Sequence, residues 1–203
     1  LWSYKTNGRS FNRLDMKRIL IILLFLFSIN SYSQCVGNQN ATITPPGPYQ
    51  PGDIVTVNYT LSNFVQININ WIHAFELNLG SGWMQNTIVT SGNPGNPGGS
   101  IGYWLWDNQH TFPSGINFGP GWRFVNTIVT NWGTISTGPF NISLTLTVKQ
   151  TCLPEDLLVA MTVYGDCQTG GWSNGACCND PAYNIYQGSV QITPITTSNI
   201  NHY

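Results

Sequence analysis

VQININWIHAFELNL, residues 65–79, decides how this chain is read. Its odd positions are Val65, Ile67, Ile69, Trp71, His73, Phe75, Leu77 and Leu79; its even positions are mostly polar, with Gln66, Asn68, Asn70, Glu76 and Asn78. Side chains alternate across a strand, so this period of two predicts one long strand with a single buried face. His73 falls in the middle of that face. An imidazole there needs partners for both ring nitrogens, since an unpaired one costs about 1–3 kcal/mol. Flanked by Trp71 and Phe75, it reads as a packed histidine tied to neighbouring strands rather than a catalytic base in a cleft.

The same alternation recurs on either side. DIVTVNYTL (53–61) puts Val55, Val57, Tyr59 and Leu61 on one face, and FNISLTLTVK (140–149) does so with Phe140, Ile142, Leu144, Leu146 and Val148. DLLVAMTVY (156–164) is apolar on both faces, as a central strand is. GWMQNTIVT (82–90), SIGYWLWD (100–107), GPGWRFVNTIVTNWG (119–133) and YNIYQGSVQI (183–192) also read as strands. Gly, Pro and Asn punctuate them, as in SGNPGNPGGS (91–100), and TPPGPYQPGD (44–53) is a proline-rich entry. No segment carries a helical period. The prediction is all-β: a single β-sandwich, Ig-like or jelly-roll-like, of about seven to nine strands. Asn-Thr-Ile-Val-Thr occurs at 86–90 and 126–130, a weak sign of two related units.

Charged residues make up 7% of the chain, against a usual quarter or so, while hydrophobic content is 41%. Asn, Thr, Ser, Gly and eight Trp take their place, and a chain so rich in aromatics packs a core. Beyond residue 34 the basic residues are Arg123 and Lys149 alone. That leaves no means of holding a polyanion, which argues against nucleic acid and anionic lipid as partners.

Met16-Lys17-Arg18, the apolar run Ile19–Phe27 and SINSYS (28–33) read as a secretory signal peptide at 16–33. Residues 1–15 read as an upstream extension of the frame, 34–193 as the sandwich and 194–203 as a flexible tail. Export follows, to the cell surface, the medium or the periplasm, with no stable membrane anchor after cleavage. Cys35 invites a lipoprotein reading, but Gln34 stands where a small residue is wanted. Five cysteines in an exported chain predict disulfides among Cys35, Cys152, Cys167, Cys177 and Cys178, with Cys152 paired to Cys177 or Cys178 the favoured bridge.

No hydrolase, zinc-protease or phosphate-loop motif is present. Glu76 and Asp107 are the best candidates for a glycosidase carboxylate pair. Asp107 and His110 stand three residues apart as an acid and histidine pair; Asp53, Glu155 and Asp156 sit in turns and loops. Asp166 and Asp180 suggest calcium, but six or more oxygens are needed and two acids are few. The segment around them reads as a disulfide-pinned loop, and no cofactor or metal is expected. The tryptophans carry more. Trp83, Trp104, Trp106, Trp122, Trp132 and Trp172 lie in or beside Gly-rich segments. Trp104 and Trp106 share one strand face, opposite Tyr103 and Leu105. If that face is exposed, it forms with Trp122, Asp107, His110 and the loop 93–100 a platform for sugar rings or a partner protein.

PGPYQPGDIVTVNYTLSNFVQININWIHAFELNLGSGW (46–83), GPGWRF (119–124) and MTVYGDCQTGGWSNGACCNDP (161–181) together resemble a β-sandwich domain of secreted Bacteroidetes surface proteins, often exported by the type IX, gliding-associated system. The resemblance covers roughly residues 41 to 192. Asn70-Trp71-Ile72-His73 and Tyr164-Gly165-Asp166 with Trp172 and a following Cys carry it best. It implies a sandwich fold, and no catalytic residues are carried over from it. Cys167 stands where Gly is usual, Cys177-Cys178 is doubled, and no sorting domain follows residue 192. These departures suggest a periplasmic partner of an export channel, or a piece of a longer surface protein. The expected function is an exported, non-catalytic module making protein or glycan contacts; a carbohydrate-active enzyme is the alternative.

Overall fold

The computed structural model describes residues 35–65, 70–111, 117–166, 169 and 180–192, and these form two antiparallel sheets and a small hairpin. The strands are β1 (Gln39–Thr44), β2 (Ile54–Leu61), β3 (Ile72–Leu79), β4 (Val89–Ser91), β5 (Gly102–Asp107), β6 (His110–Thr111), β7 (Asn117–Phe118), β8 (Gly121–Asn126), β9 (Phe140–Thr147), β10 (Val159–Gly165) and β11 (Tyr183–Tyr186). One sheet has the order β1-β2-β9-β4, the other β11-β10-β3-β8-β5, and β6 pairs with β7. The nine strands of the two main sheets pack as a sandwich.

The alternating segments behave as the alternation dictates. Val55, Val57, Tyr59 and Leu61 on β2 are all buried, as are Phe140, Ile142, Leu144, Leu146 and Val148 along and just beyond β9. Asn58 and Ser143 face each other outside, while Tyr59 and Ile142 face each other inside. Aromatic rings close the gap between the sheets. Phe75 of β3 meets Tyr59 of β2 at 6.3 Å and Phe140 of β9 at 5.3 Å between centroids. Such tilted and edge contacts add about 0.5–1.5 kcal/mol each to the burial itself. β10 is central as expected, with β3 on one side and β11 on the other.

The stretch 65–79 departs from a single strand. Val65 is 44% exposed, β3 begins only at Ile72, and Ile72 and Ala74, both at even positions, are fully buried. The expected positions Ile67 and Ile69 lie outside the described residues. The cause is a bulge against β10. Tyr164 pairs with Ala74 but Gly165 with Ile72, which skips His73. One extra residue reverses the alternation, so Ile72 enters the core and Trp71 turns to the outer face.

Three further expectations change. β1 was hidden in the run before the prolines. GWMQNTIVT holds a 3₁₀ turn at Gln85–Thr87 before the short β4. The two Asn-Thr-Ile-Val-Thr copies differ in conformation, the first running from that turn into β4 and the second forming bends after β8, so the repeat is not structural. Cys152 is an exposed, free thiol, contrary to the favoured bridge. The other candidates Cys167, Cys177 and Cys178 lie outside the described residues, whereas Cys35 is fully buried.

Candidate functional site

The outer face of the five-stranded sheet carries most of the side chains that chemistry could use, in two neighbourhoods. In the first, Arg123 on β8 reaches back to Asp107 on β5, Nη2 to Oδ2 at 3.1 Å, and His110 Nδ1 lies 3.9 Å from the same oxygen. Asp107 and Glu76 stand in one row of the sheet, because both pair with Gly121. Two strand spacings put their Cα atoms about 10 Å apart. The space between them is filled. A Cβ on Gly121 would lie 2.8 Å from Phe118 Cζ, and Phe118 is 1% exposed. The hairpin of β6 and β7 thus folds an aromatic ring over the gap. Both carboxylates are spent locally: Glu76 accepts the Tyr164 hydroxyl at 2.6 Å and the Gly119 N–H at 2.6 Å, and Asp107 also accepts the Gln109 N–H at 3.2 Å. Burial, then the Glu76 carboxylate, raises the Tyr164 phenol above its ordinary range.

His73 sits between the two neighbourhoods, 2% exposed. Burial first, then Arg123 and His110, push its pKa down to about 3, against a smaller opposing pull from the Trp132 backbone. It is a buried, neutral imidazole, but not between the expected flanks: Trp71 lies on the outer face, and Arg123 and His110 act on the ring. Partial burial and Arg123 also lower His110, against the opposing pull of Asp107.

The tryptophan platform is not where it was expected. Trp104 (6% exposed) and Trp122 (8%) point into the sandwich, and Trp106 is half-buried against Trp122 at 5.7 Å. Trp104 packs on Phe75, Phe124 and Phe140. The exposed face of β5 is the opposite one, with Tyr103 at 53% and Leu105 at 40%.

The second neighbourhood is a cleft of about 220 Å³ lined by Trp71, Gly99, Ser100, Ile101, Asn126, Ile128, Val129, Trp132 and Ile135. Trp71 and Trp132 meet edge to face, 5.6 Å apart at 89°. Around them Ile101, Ile128 and Ile135 are 59%, 69% and 40% exposed. The walls are held by polar bonds. Asp166 Oδ2 accepts the Gly133 N–H at 2.8 Å, its own N–H donates to the Trp71 carbonyl at 2.8 Å, and Thr169 Oγ1 accepts the Trp71 N–H at 3.0 Å. The loop 93–100, expected beside Trp104, Trp106 and Trp122, holds this wall instead: Ser100 Oγ accepts the Ile135 N–H at 2.9 Å, and Thr134 bonds the Pro97 carbonyl.

The two acids weighed for calcium act as backbone acceptors. Asp166 bridges Gly133 and Thr169; Asp180 Oδ2 accepts the N–H groups of Cys35 at 2.9 Å and Val36 at 2.8 Å. A depression of about 520 Å³ near Lys149 includes Trp83, but that residue is 1% exposed and offers no stacking face. Sequence reasoning missed Trp71, Ile128 and Trp132 as a group. Trp71 was assigned inward, and the other two fell in a segment read as strand that instead bends after Asn126. No family, no curated protein and no solved structure matches this chain.

Proposed function

We propose that this is an exported, non-catalytic binding module that docks a protein through the cleft of Trp71 and Trp132. One observation carries the reading. Three isoleucines, 40–69% exposed, ring an edge-to-face tryptophan pair, and among the described residues that line the cleft none carries a titratable side chain. Branched aliphatic side chains left in water around aromatic anchors suit an apolar partner surface. A glycan is the second reading. Trp71 and Trp132 are half-buried beside the Asn126 amide and the Ser100 hydroxyl, a combination on which a sugar ring can stack and bond.

The enzyme alternative is weaker. Its carboxylates Glu76 and Asp107 share a row, but the Phe118 ring occupies the place a water or sugar would need. Export is supported by the leader-like segment 16–33 and by Cys35 and Val36 being already buried where the described fold starts. The resemblance read from residues 46–83, 119–124 and 161–181 fits such a module, with a place beside an export channel as its variant.

Photo-crosslinking from position 128 in the native host tests the reading, with Ile54 on the other sheet, 62% exposed, as control. A defined protein adduct from 128, absent from 54 and lost in Trp132→Ala, is expected. Equal adducts from both positions sink it. Retention on immobilised polysaccharide that Trp71→Ala abolishes transfers the cleft to glycan.

A further inference from the structure

Among the described residues the sandwich has four edge strands, and three are blunted. β4 has three residues, followed closely by Gly92 and Pro94. β11 has four, preceded by Pro181, and its Tyr183 reaches Tyr59 of the other sheet at 6.1 Å. β1 runs straight into Pro45 and Pro46. Short edges and prolines are the usual guards against pairing with another chain.

β5 has none of them. It is six residues long, GYWLWD, with no proline and no charge before Asp107. Its outer face shows Tyr103 and Leu105, preceded by Ile101, all 40–59% exposed. The Ile101 carbonyl accepts from Thr127 N–H, on the β8 side. Backbone groups alternate along a strand, so those of Gly102, Trp104 and Trp106 point away from β8. Among the described residues no strand pairs with that side.

We propose that β5 is the seat of a homodimer, in which two copies pair this strand antiparallel about a two-fold axis beside Trp104. In that register Trp104 faces its own copy, Gly102 faces Trp106, and Tyr103 faces Leu105. All three outward-facing residues then exchange bonds, about six between the chains. The exposed apolar pair Tyr103 and Leu105 is matched twice on the outer face, and the Trp106 ring lies across a glycine, an arrangement that offsets the missing side chain. Charge permits it. Asp107 falls opposite Ile101, and its carboxylate is already paired with Arg123 at 3.1 Å, so no like charges meet. The interface is isologous and closes on itself, which limits assembly to two copies. The axis runs perpendicular to the sheet, so both Trp71–Trp132 clefts open on the same side. A dimer therefore presents two docking sites to one surface, and avidity follows from geometry.

The test is sedimentation velocity on the full chain over a range of concentrations, with amide exchange on the same samples. Wild type should dimerise reversibly, and the Gly102, Trp104 and Trp106 amides should be protected when concentrated and exposed on dilution. Leu105→Lys and Tyr103→Lys should each weaken the dimer about tenfold or more. Ile54→Lys on the opposite sheet should leave it unchanged. A wild type that stays monomeric at every concentration overturns the proposal. So does a dimer that both β5 variants, shown folded by circular dichroism, leave intact. Trp132→Ala should not alter dimerisation, which separates failure here from failure of the cleft.

Discussion

Gly165 faces Ile72 across the ladder between β10 and β3, one place out of step with the pair Tyr164–Ala74. That slip leaves His73 as the extra residue of a bulge. It turns Trp71 outward to line the cleft and carries Ile72 into the core. It also seats a neutral imidazole where the Trp132 backbone, Arg123 and His110 converge on it. The bulge therefore links the strand that organises the fold to the surface proposed to bind.

His73 should make stability depend on pH. Its folded pKa of about 3 lies below the ordinary value of 6.5. Between those values the unfolded chain binds the proton and the folded chain does not, so acid favours unfolding. Stability should be complete above about pH 6.5 and fall as pH drops towards 3, by up to about 1.4 kcal/mol per pH unit from this group. His110 acts in the same direction, since its pKa is lowered too. Urea midpoints at pH 7 and pH 4.5 should differ strongly for wild type and much less for His73→Gln. An equal loss in both would show that His73 titrates freely.

Trp104 separates core from surface. Buried among Phe75, Phe124 and Phe140, its truncation to Ala should cost about 3–5 kcal/mol. Truncating exposed Tyr103 on the same strand should change stability by about 0.5 kcal/mol or less. Chemical denaturation of both variants measures this, and similar values for the two would put Trp104 back at the surface.

That pair also shows what the residues announce and what they withhold. β2, β9 and β10 were legible because one face of each, or both for β10, is plainly apolar, and period two then has one solution. GYWLWD is apolar on both faces. Alternation sorts Trp104 and Trp106 from Tyr103 and Leu105 but cannot say which set meets Phe124 and Phe140; that is settled by strands distant in sequence. The bulge at His73 was likewise unreadable, since it exists only against Gly165. β1 was missed because Asn40, Thr42 and Thr44 alternate with only Ala41 and Ile43. The loop 93–100 was marked out by its Gly and Pro density, but it was placed beside Trp104, Trp106 and Trp122 rather than beside Trp71 and Trp132. Trp132 needed Trp71 beside it to mean anything.

Gly121 permits the row that joins Glu76 to Asp107. A Cβ there would come within 2.1 Å of the Phe75 carbonyl and 2.8 Å of Phe118 Cζ. The backbone atom cannot swing aside as a side chain can, so β3 and β8 must part or the Phe118 hairpin must lift. Gly121→Ala should lower the melting temperature more than Gly92→Asn, whose position has open space and a left-handed φ of 73° that Asn tolerates. Equal melting temperatures for the two variants would contradict the close approach.

The cysteines give the last prediction. Cys35 is fully buried, and Asp180 accepts its N–H at 2.9 Å. Cys178 is two residues from Asp180 in the chain and Cys177 three, a reach of at most about 7–11 Å. We expect the Cys35 sulfur to be bonded to one of them, tying the first described residue to the last long loop. Removing such a link from a small domain costs about 2–5 kcal/mol. Cys152, exposed and free, should label with maleimide in the native protein without reductant. Non-reducing peptide mapping should recover Cys35 joined to the peptide that holds Cys177 and Cys178. Cys35→Ser should lower the melting temperature while Cys152→Ser leaves it unchanged. A Cys35 that labels on denaturation without reductant would sink the pairing, and the Asp180 carboxylate would then hold that end of the chain alone.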